Sequence, residues 1–120
     1  MARSEAAMVI ELAHLEIAPG QEEQFKQAYA SVEHLLAAAK GHISHALHQG
    51  IESPSQFVAI VHWATLADHV DGFRRSEAYA QFRAVIGPFR AAPVEVMHLH
   101  PVAGDLVQPT ADPGAGLEPT

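Results

Sequence analysis

Apolar and polar positions change period several times along the chain, and each change marks an element. Met8 to Ile17 (MVIELAHLEI) alternates: Val9, Ala13, Leu15 and Ile17 share one parity, and Met8, Ile10 and Leu12 share the other. Alternation predicts a strand, and apolar residues on both parities predict a central one covered on both sides. Pro19-Gly20 ends it. From Gln21 to Ala39 the period lengthens. Phe25, Ala28, Val32, Leu35, Leu36 and Ala39 recur at steps of three and four, the signature of an amphipathic helix. Glu22 and Glu23 sit in its first turn, where the helix dipole favours negative charge. Lys40 lies at its end, and Gly41 suits the left-handed position that closes a helix.

The short period then returns. His42 to Gln49 reads as a strand with Ile43 and Leu47 spaced in twos, and Gly50 to Ser55, with Pro54, makes a turn. Phe57 to Trp63 (FVAIVHW) is the most strand-like stretch of the chain. Thr65-Leu66-Ala67-Asp68 resembles a capping box with Asp in place of Glu, and opens a short helix to about Phe73. Ser76 caps a second helical piece to about Ile86, which Gly87-Pro88 ends. Val94 to His100 is a last strand, carrying Val94, Val96, Met97 and Leu99.

The order β-α-β-β-α-β predicts an α+β, ferredoxin-like split βαβ fold. It has one four-stranded antiparallel sheet in spatial order four, one, three, two, with helices on one face. The other face is expected to carry Ile10, Leu12, Val58, Ile60, Val94 and Val96. An apolar sheet face of that kind is most economically covered by a second copy, sheet on sheet, about a twofold axis.

Composition narrows the function classes. A chain of 120 residues, 48% apolar, has the size of one domain with a real core. Residues 1–7 read as an N-terminal extension and 8–102 as the domain. Residues 103–120 read as a flexible tail or an arm laid on a partner subunit, since three Pro, three Gly and three acids there leave little to bury. The net charge is −7, and Lys and Arg never form a run longer than Arg74-Arg75. The counterion-replacing face that nucleic acid requires is absent from this pattern. No apolar run approaches the roughly 18 residues of a membrane span. Met1-Ala2-Arg3-Ser4-Glu5 lacks a charged-then-apolar leader pattern, so a cytoplasmic location is expected.

There are no cysteines and nine histidines. The first count excludes thiolate catalysis, disulfides and thiolate-bound metal. The second invites a metal reading that strand geometry argues against. On a regular strand His42 and His45 point to opposite faces. His14, His62, His98 and His100 share even parity, which assigns them to the open face, where strand direction separates His14 from His62 and His100. No metal site is expected.

Several segments together carry a resemblance. They are Ala18-Pro19-Gly20-Gln21-Glu22-Glu23-Gln24-Phe25, Ala39-Lys40-Gly41-His42 and Phe57-Val58-Ala59-Ile60-Val61-His62-Trp63, then Leu66 to Phe82 with His69, Phe73, Ser76, Ala78 and Tyr79, and last Gly87-Pro88-Phe89. In this order and spacing the chain resembles the antibiotic biosynthesis monooxygenase domain family. The resemblance implies a homodimeric α+β barrel with a pocket between sheet and helices in each subunit. It implies oxidation of small aromatic substrates of the phenol, anthrone or quinol type by molecular oxygen, without metal, flavin or haem. Trp63 stands where the polyketide oxidases of the family place a pocket tryptophan, and Arg83 where they place an arginine. Their asparagine four residues before the tryptophan is Ala59 here, and their tyrosine six residues after it is His69. The haem-degrading branch fits worse: its asparagine, tryptophan and histidine fall on Ala13, Phe73 and Arg83.

Oxidation of a phenol by oxygen needs a group that takes its proton and a group that stabilises the resulting anion. His69 is the candidate base, Arg83 the candidate anion stabiliser, and Trp63 a wall on which a flat ring stacks. Phe73, Tyr79 and Phe82 are spaced as helix core residues that also line such a pocket. The alternative on the same fold is a small-molecule-binding or stress-response module that uses the pocket without turnover.

Overall fold

A computed structural model describes residues 8–104; the N-terminal extension and the acidic Pro/Gly-rich tail beyond 104 lie outside the described residues. The elements are β1 (Val9–Glu16), α1 (Glu22–Ala37), β2 (His42–Gln49), β3 (Gln56–Trp63), α2 (Glu77–Ile86) and β4 (Glu95–Leu99). The strands form one antiparallel sheet in the order β2-β3-β1-β4, the split βαβ arrangement that the element order predicts.

The odd positions of β1 and β3 point at the helices. Ala13, Leu15, Phe57, Ala59, Val61 and Trp63 are buried there, and Ile17 extends the row just past β1. They meet Phe25, Tyr29, Val32 and Leu36 of α1, and Phe82 and Ile86 of α2. Each element buries the stripe its period presents, and removal of this apolar surface from water is what holds the layers together.

Local chemistry sets the path from β3 to α2. Thr65 Oγ1 accepts from the Asp68 backbone N–H at 3.0 Å, and Ser76 Oγ accepts from the Tyr79 N–H at 3.1 Å, so both expected caps form. Between them the chain does not make the regular short helix that the pattern predicts. It winds as a wide turn over Asp68–Gly72 and then a tight one over Phe73–Arg75. Gly41, at φ +86°, closes the α1–β2 connection directly beneath Asp68, and any Cβ there would collide with the Asp68 side chain. That close approach seats the wide turn, and with it His69, against the sheet.

Two expectations about strand faces need correction. Ile10 of β1 pairs with His62 of β3, even with even, but Glu11 pairs with His98 of β4 and Ala13 with Val96, odd with even. Directly opposed residues share a face. Val96 and His98 therefore point toward the helices, with Val94 packed against the core, and Met97 and Leu99 join Ile10, Leu12, Val58 and Ile60 on the open face. The second correction is at β2. A bulge between His42 and Ser44 inserts one extra residue, so His42 pairs with Trp63 and His45 with Val61, both on the helix face. The two imidazoles touch, Nε2 to Nδ1 at 2.9 Å, instead of facing apart.

Candidate active site

A cavity of about 260 Å³ lies between the helix face of the sheet and α1 and α2. Its walls are mostly apolar, with Ala13, Leu15, Ala59 and Val61 from the sheet and Phe73, Tyr79, Phe82 and Ile86 from the segment after β3. This volume suits a small aromatic molecule and lies just below the range typical of drug-sized ligands.

Its polar wall is built on position 11. In β1, Glu11 occupies the parity otherwise held by Val9, Ala13 and Leu15, so the helix face of a central strand carries a carboxylate. Glu11 is 9% exposed. Its Oε1 accepts from the Trp63 indole N–H at 2.9 Å and lies 3.3 Å from His69 Nε2. Both of these contacts fall on one oxygen, which leaves Oε2 for the cavity that Glu11 lines. Burial pushes the Glu11 carboxyl above its ordinary range, against the opposing pull of the Trp63 hydrogen bond and the charge of Arg74.

His69 is the second polar group of that wall. It is 4% exposed, although it stands on an irregular turn near a helix start, where a histidine is usually solvated. Its ring stacks on Trp63, with centroids 5.1 Å apart and planes 15° from parallel. Its Nδ1 lies 2.8 Å from His98 Nε2. Burial, then the His98 and Arg74 charges, push His69 down to about 4, so it is neutral near pH 7. His69 Nδ1 and His98 Nε2 share one hydrogen bond, and the neutral His69 ring presents Nε2 to the Glu11 oxygen that already accepts from the Trp63 N–H. His98 is held below its ordinary range as well, by burial and then by Arg74.

Of the residues singled out from the sequence, His69, Arg83, Phe73, Tyr79 and Phe82 all line this cavity. Arg83 is exposed and stands at its rim with Arg74 and Arg90. Trp63 is placed differently. It is fully buried behind the cavity wall, and the flat ring packed on it is the His69 imidazole, so a bound substrate meets His69 and Glu11 first.

Glu11 and His98 escaped the sequence reading. A signal for Glu11 was present: one acid interrupts an apolar parity in a strand expected to be covered on both sides, and such an acid must be paired or functional. His98 had no such signal, because its face depends on the pairing of β4 with β1. Tyr29 was also missed. Its hydroxyl is buried beside the cavity with no hydrogen-bond partner among the described residues, and burial, then the Glu33 and Glu11 charges, push it up to about 12.

Among the described residues no group of three or more His, Asp or Glu is arranged to hold a metal ion. His42 and His45 are instead tied to Glu33, whose Oε1 lies 3.0 Å from His45 Nε2.

Comparison with known proteins agrees with this architecture. The family model described as antibiotic biosynthesis monooxygenase matches residues 8–85. The Bacillus subtilis protein YczJ is 34% identical over 95 residues, covering 79% of this chain and all of its own. The crystal structure of a candidate antibiotic biosynthesis monooxygenase from Bordetella bronchiseptica superposes with a TM-score of 0.78 at 32% identity, covering 81% of this chain and 99% of that one. SnoaB, a cofactor-independent oxygenase from Streptomyces nogalater solved as a mutant, shares the fold at a TM-score of 0.70 and 13% identity, over 81% of this chain and 95% of its own. With the matched residues spanning every element from β1 into α2, the chain belongs to the antibiotic biosynthesis monooxygenase family.

Proposed function

We propose that this protein is a cofactor-independent monooxygenase that oxidises a small phenolic, anthrone-type or quinol substrate with molecular oxygen. The observation that carries the reading is the Glu11–His69 pair, two buried groups of opposite acid–base character on the wall of an otherwise aromatic and aliphatic cavity. Desolvation makes the Glu11 carboxylate a stronger base than a solvated one. It takes the phenolic proton through Oε2, while the Trp63 N–H holds Oε1 and His69, hydrogen-bonded to His98, packs against the same oxygen. The base is therefore Glu11 supported by His69, a refinement of the sequence-level choice of His69 alone.

The resulting phenolate is electron-rich enough to react with oxygen. Oxygen adds at a hydrogen-bearing ring carbon ortho or para to the oxyanion, and the peroxide takes up a proton. Loss of water, with the remaining C–H proton departing and the O–O bond breaking, leaves a quinone. One phenol and one O₂ become one quinone and one water. Arg83 at the rim stabilises the anionic stages, and exclusion of bulk water by Phe73, Phe82 and Tyr79 strengthens that effect.

The working unit of this reading is a homodimer. The open sheet face carries Ile10, Leu12, Val58 and Ile60, with Met97 57% and Leu99 38% exposed in the single chain. A second copy laid sheet on sheet would remove them from water.

Oxygen uptake with a panel of hydroquinones and anthrones tests the activity. Consumption that matches quinone formation one to one, and falls in Glu11→Gln and Arg83→Ala, is the expected result. A ligand retained through purification with no oxygen consumed would instead identify a binding module.

A further inference from the structure

The basic residues of this acidic chain are not spread evenly. Of its seven Lys and Arg, three line the one cavity just described: Arg74 before α2, Arg83 on α2, and Arg90 after it. Arg83 and Arg90 converge on the same spot, since the Arg83 Cγ and the Arg90 guanidinium both lie within 4 Å of where a Gly87 Cβ would stand. None of the three is paired with a carboxylate among the described residues, where the ion pairs involve Lys26, Lys40, His45 and His69. Arg90 Nε donates to the Gly87 carbonyl, which leaves its other N–H groups free beside Arg83, and two neighbouring cations of that kind are stabilised by an anion between them.

Hydrogen-bonding capacity points the same way. The one carboxylate lining the cavity is Glu11, and its Oε1 is already engaged by Trp63 and His69. Tyr29, 94% buried on the wall, has a hydroxyl with no partner among the described residues. With so high a pKa it keeps its proton and remains a donor. The cavity therefore offers more donors than acceptors, and its best complement is a ligand rich in acceptor oxygens.

We propose that the natural substrate carries an ionised acid group, a carboxylate or a phosphate, on its aromatic ring, held at the cavity mouth by Arg83 and Arg90. The acid group would set the orientation: anion at the rim, oxidisable ring against the packed Phe73–Phe82 pair, phenolic oxygen toward Glu11. This rests on the reading of the cavity as the substrate site.

Anaerobic calorimetric titration of the intact protein separates the two claims, because it reads binding without turnover. The probes are hydroquinone, 2,5-dihydroxybenzoate and 4-hydroxyphenyl phosphate. One or both anionic probes should bind at least about tenfold tighter than hydroquinone, as charge-assisted hydrogen bonds require. The ratio of anionic-probe to hydroquinone affinity should shrink in Arg83→Gln and fall to about one in the Arg83→Gln/Arg90→Gln pair. Arg83 is exposed, so the single variant keeps the test open if the double variant folds poorly. Which probe wins distinguishes carboxylate from phosphate. Equal binding of neutral and anionic probes, a preference that survives the Arg83→Gln change undiminished, or no binding of any probe overturns the proposal. An anion preference without oxygen uptake on admitting air would leave it standing and refute the monooxygenase reading. Equal turnover of hydroquinone and the anionic probes, with equal affinities, would do the reverse.

Discussion

The His69 imidazole lies flat on the Trp63 indole, centroids 5.1 Å apart, and both rings meet one Glu11 oxygen, to which the Trp63 N–H donates at 2.9 Å while His69 Nε2 lies 3.3 Å away. Stacking and hydrogen bonding thus act on the same groups. Trp63 fixes the plane of His69 and one lone-pair direction of Glu11, although it does not itself line the cavity. Its role is to position the acid–base pair.

Trp63→Phe keeps an aromatic surface for His69 but removes the N–H that Glu11 accepts. The variant should lose about 1–3 kcal/mol of stability, the cost of leaving a buried acceptor short of a partner. Chemical denaturation followed by circular dichroism measures this. The pH at which activity rises should move upward as well, because that N–H is what lowers the Glu11 pKa against desolvation.

Glu11→Gln retains an oxygen for the Trp63 N–H but removes the base. Oxygen consumption should fall by about 100-fold or more. Thermal stability should stay level or rise, since a buried carboxylate replaced by a neutral isostere no longer bears a desolvation penalty. An oxygen electrode and a melting curve on the same preparation check both halves.

Acid should destabilise the fold through His69. Its folded-state value of about 4 lies below the 6.5 of an unperturbed histidine. Between those values the unfolded chain holds a proton that the folded chain refuses, so the stability from His69 is complete above pH 6.5 and is lost as the pH falls toward 4. The loss is on the order of 3 kcal/mol. Glu11, raised from its ordinary value, works in the opposite sense, protonating first in the folded state. His69→Gln should therefore flatten the acid-side fall in Tm, or reverse it, over this window.

Ile60→Glu places a charge in the middle of the open sheet face, opposite Leu12 of β1 and remote from the cavity lining. If two copies pack through this face, the variant should sediment as a monomer with an unchanged far-UV spectrum. A wild type that is itself monomeric at micromolar concentration would refute the sheet-on-sheet dimer.

Much of this molecule was legible from local pattern. Periods of two and of three to four residues placed every strand and both main helices within a few positions. The Thr65 and Ser76 caps announced themselves by residue type. Even the strand order follows from the element order. Phe73, Tyr79, Phe82, His69 and Arg83 gather at one cavity because they share the stretch that crosses back over the sheet.

What the sequence by itself determined, then, is the set of elements, the family and one wall of the site. The tertiary structure alone decided which charged groups meet across that site. Whether a residue of β4 faces the helices depends on its register with β1, and a shift of one position would turn His98 from the site to the open face. The single-residue bulge in β2 likewise brings His42 and His45 together against the expected parity. Register is set by long-range pairing and by the packing it permits, and periodicity within one strand carries no information about its neighbour. Glu11, His69 and His98 lie 87 residues apart along the chain at their extremes, and only the folded sheet joins them.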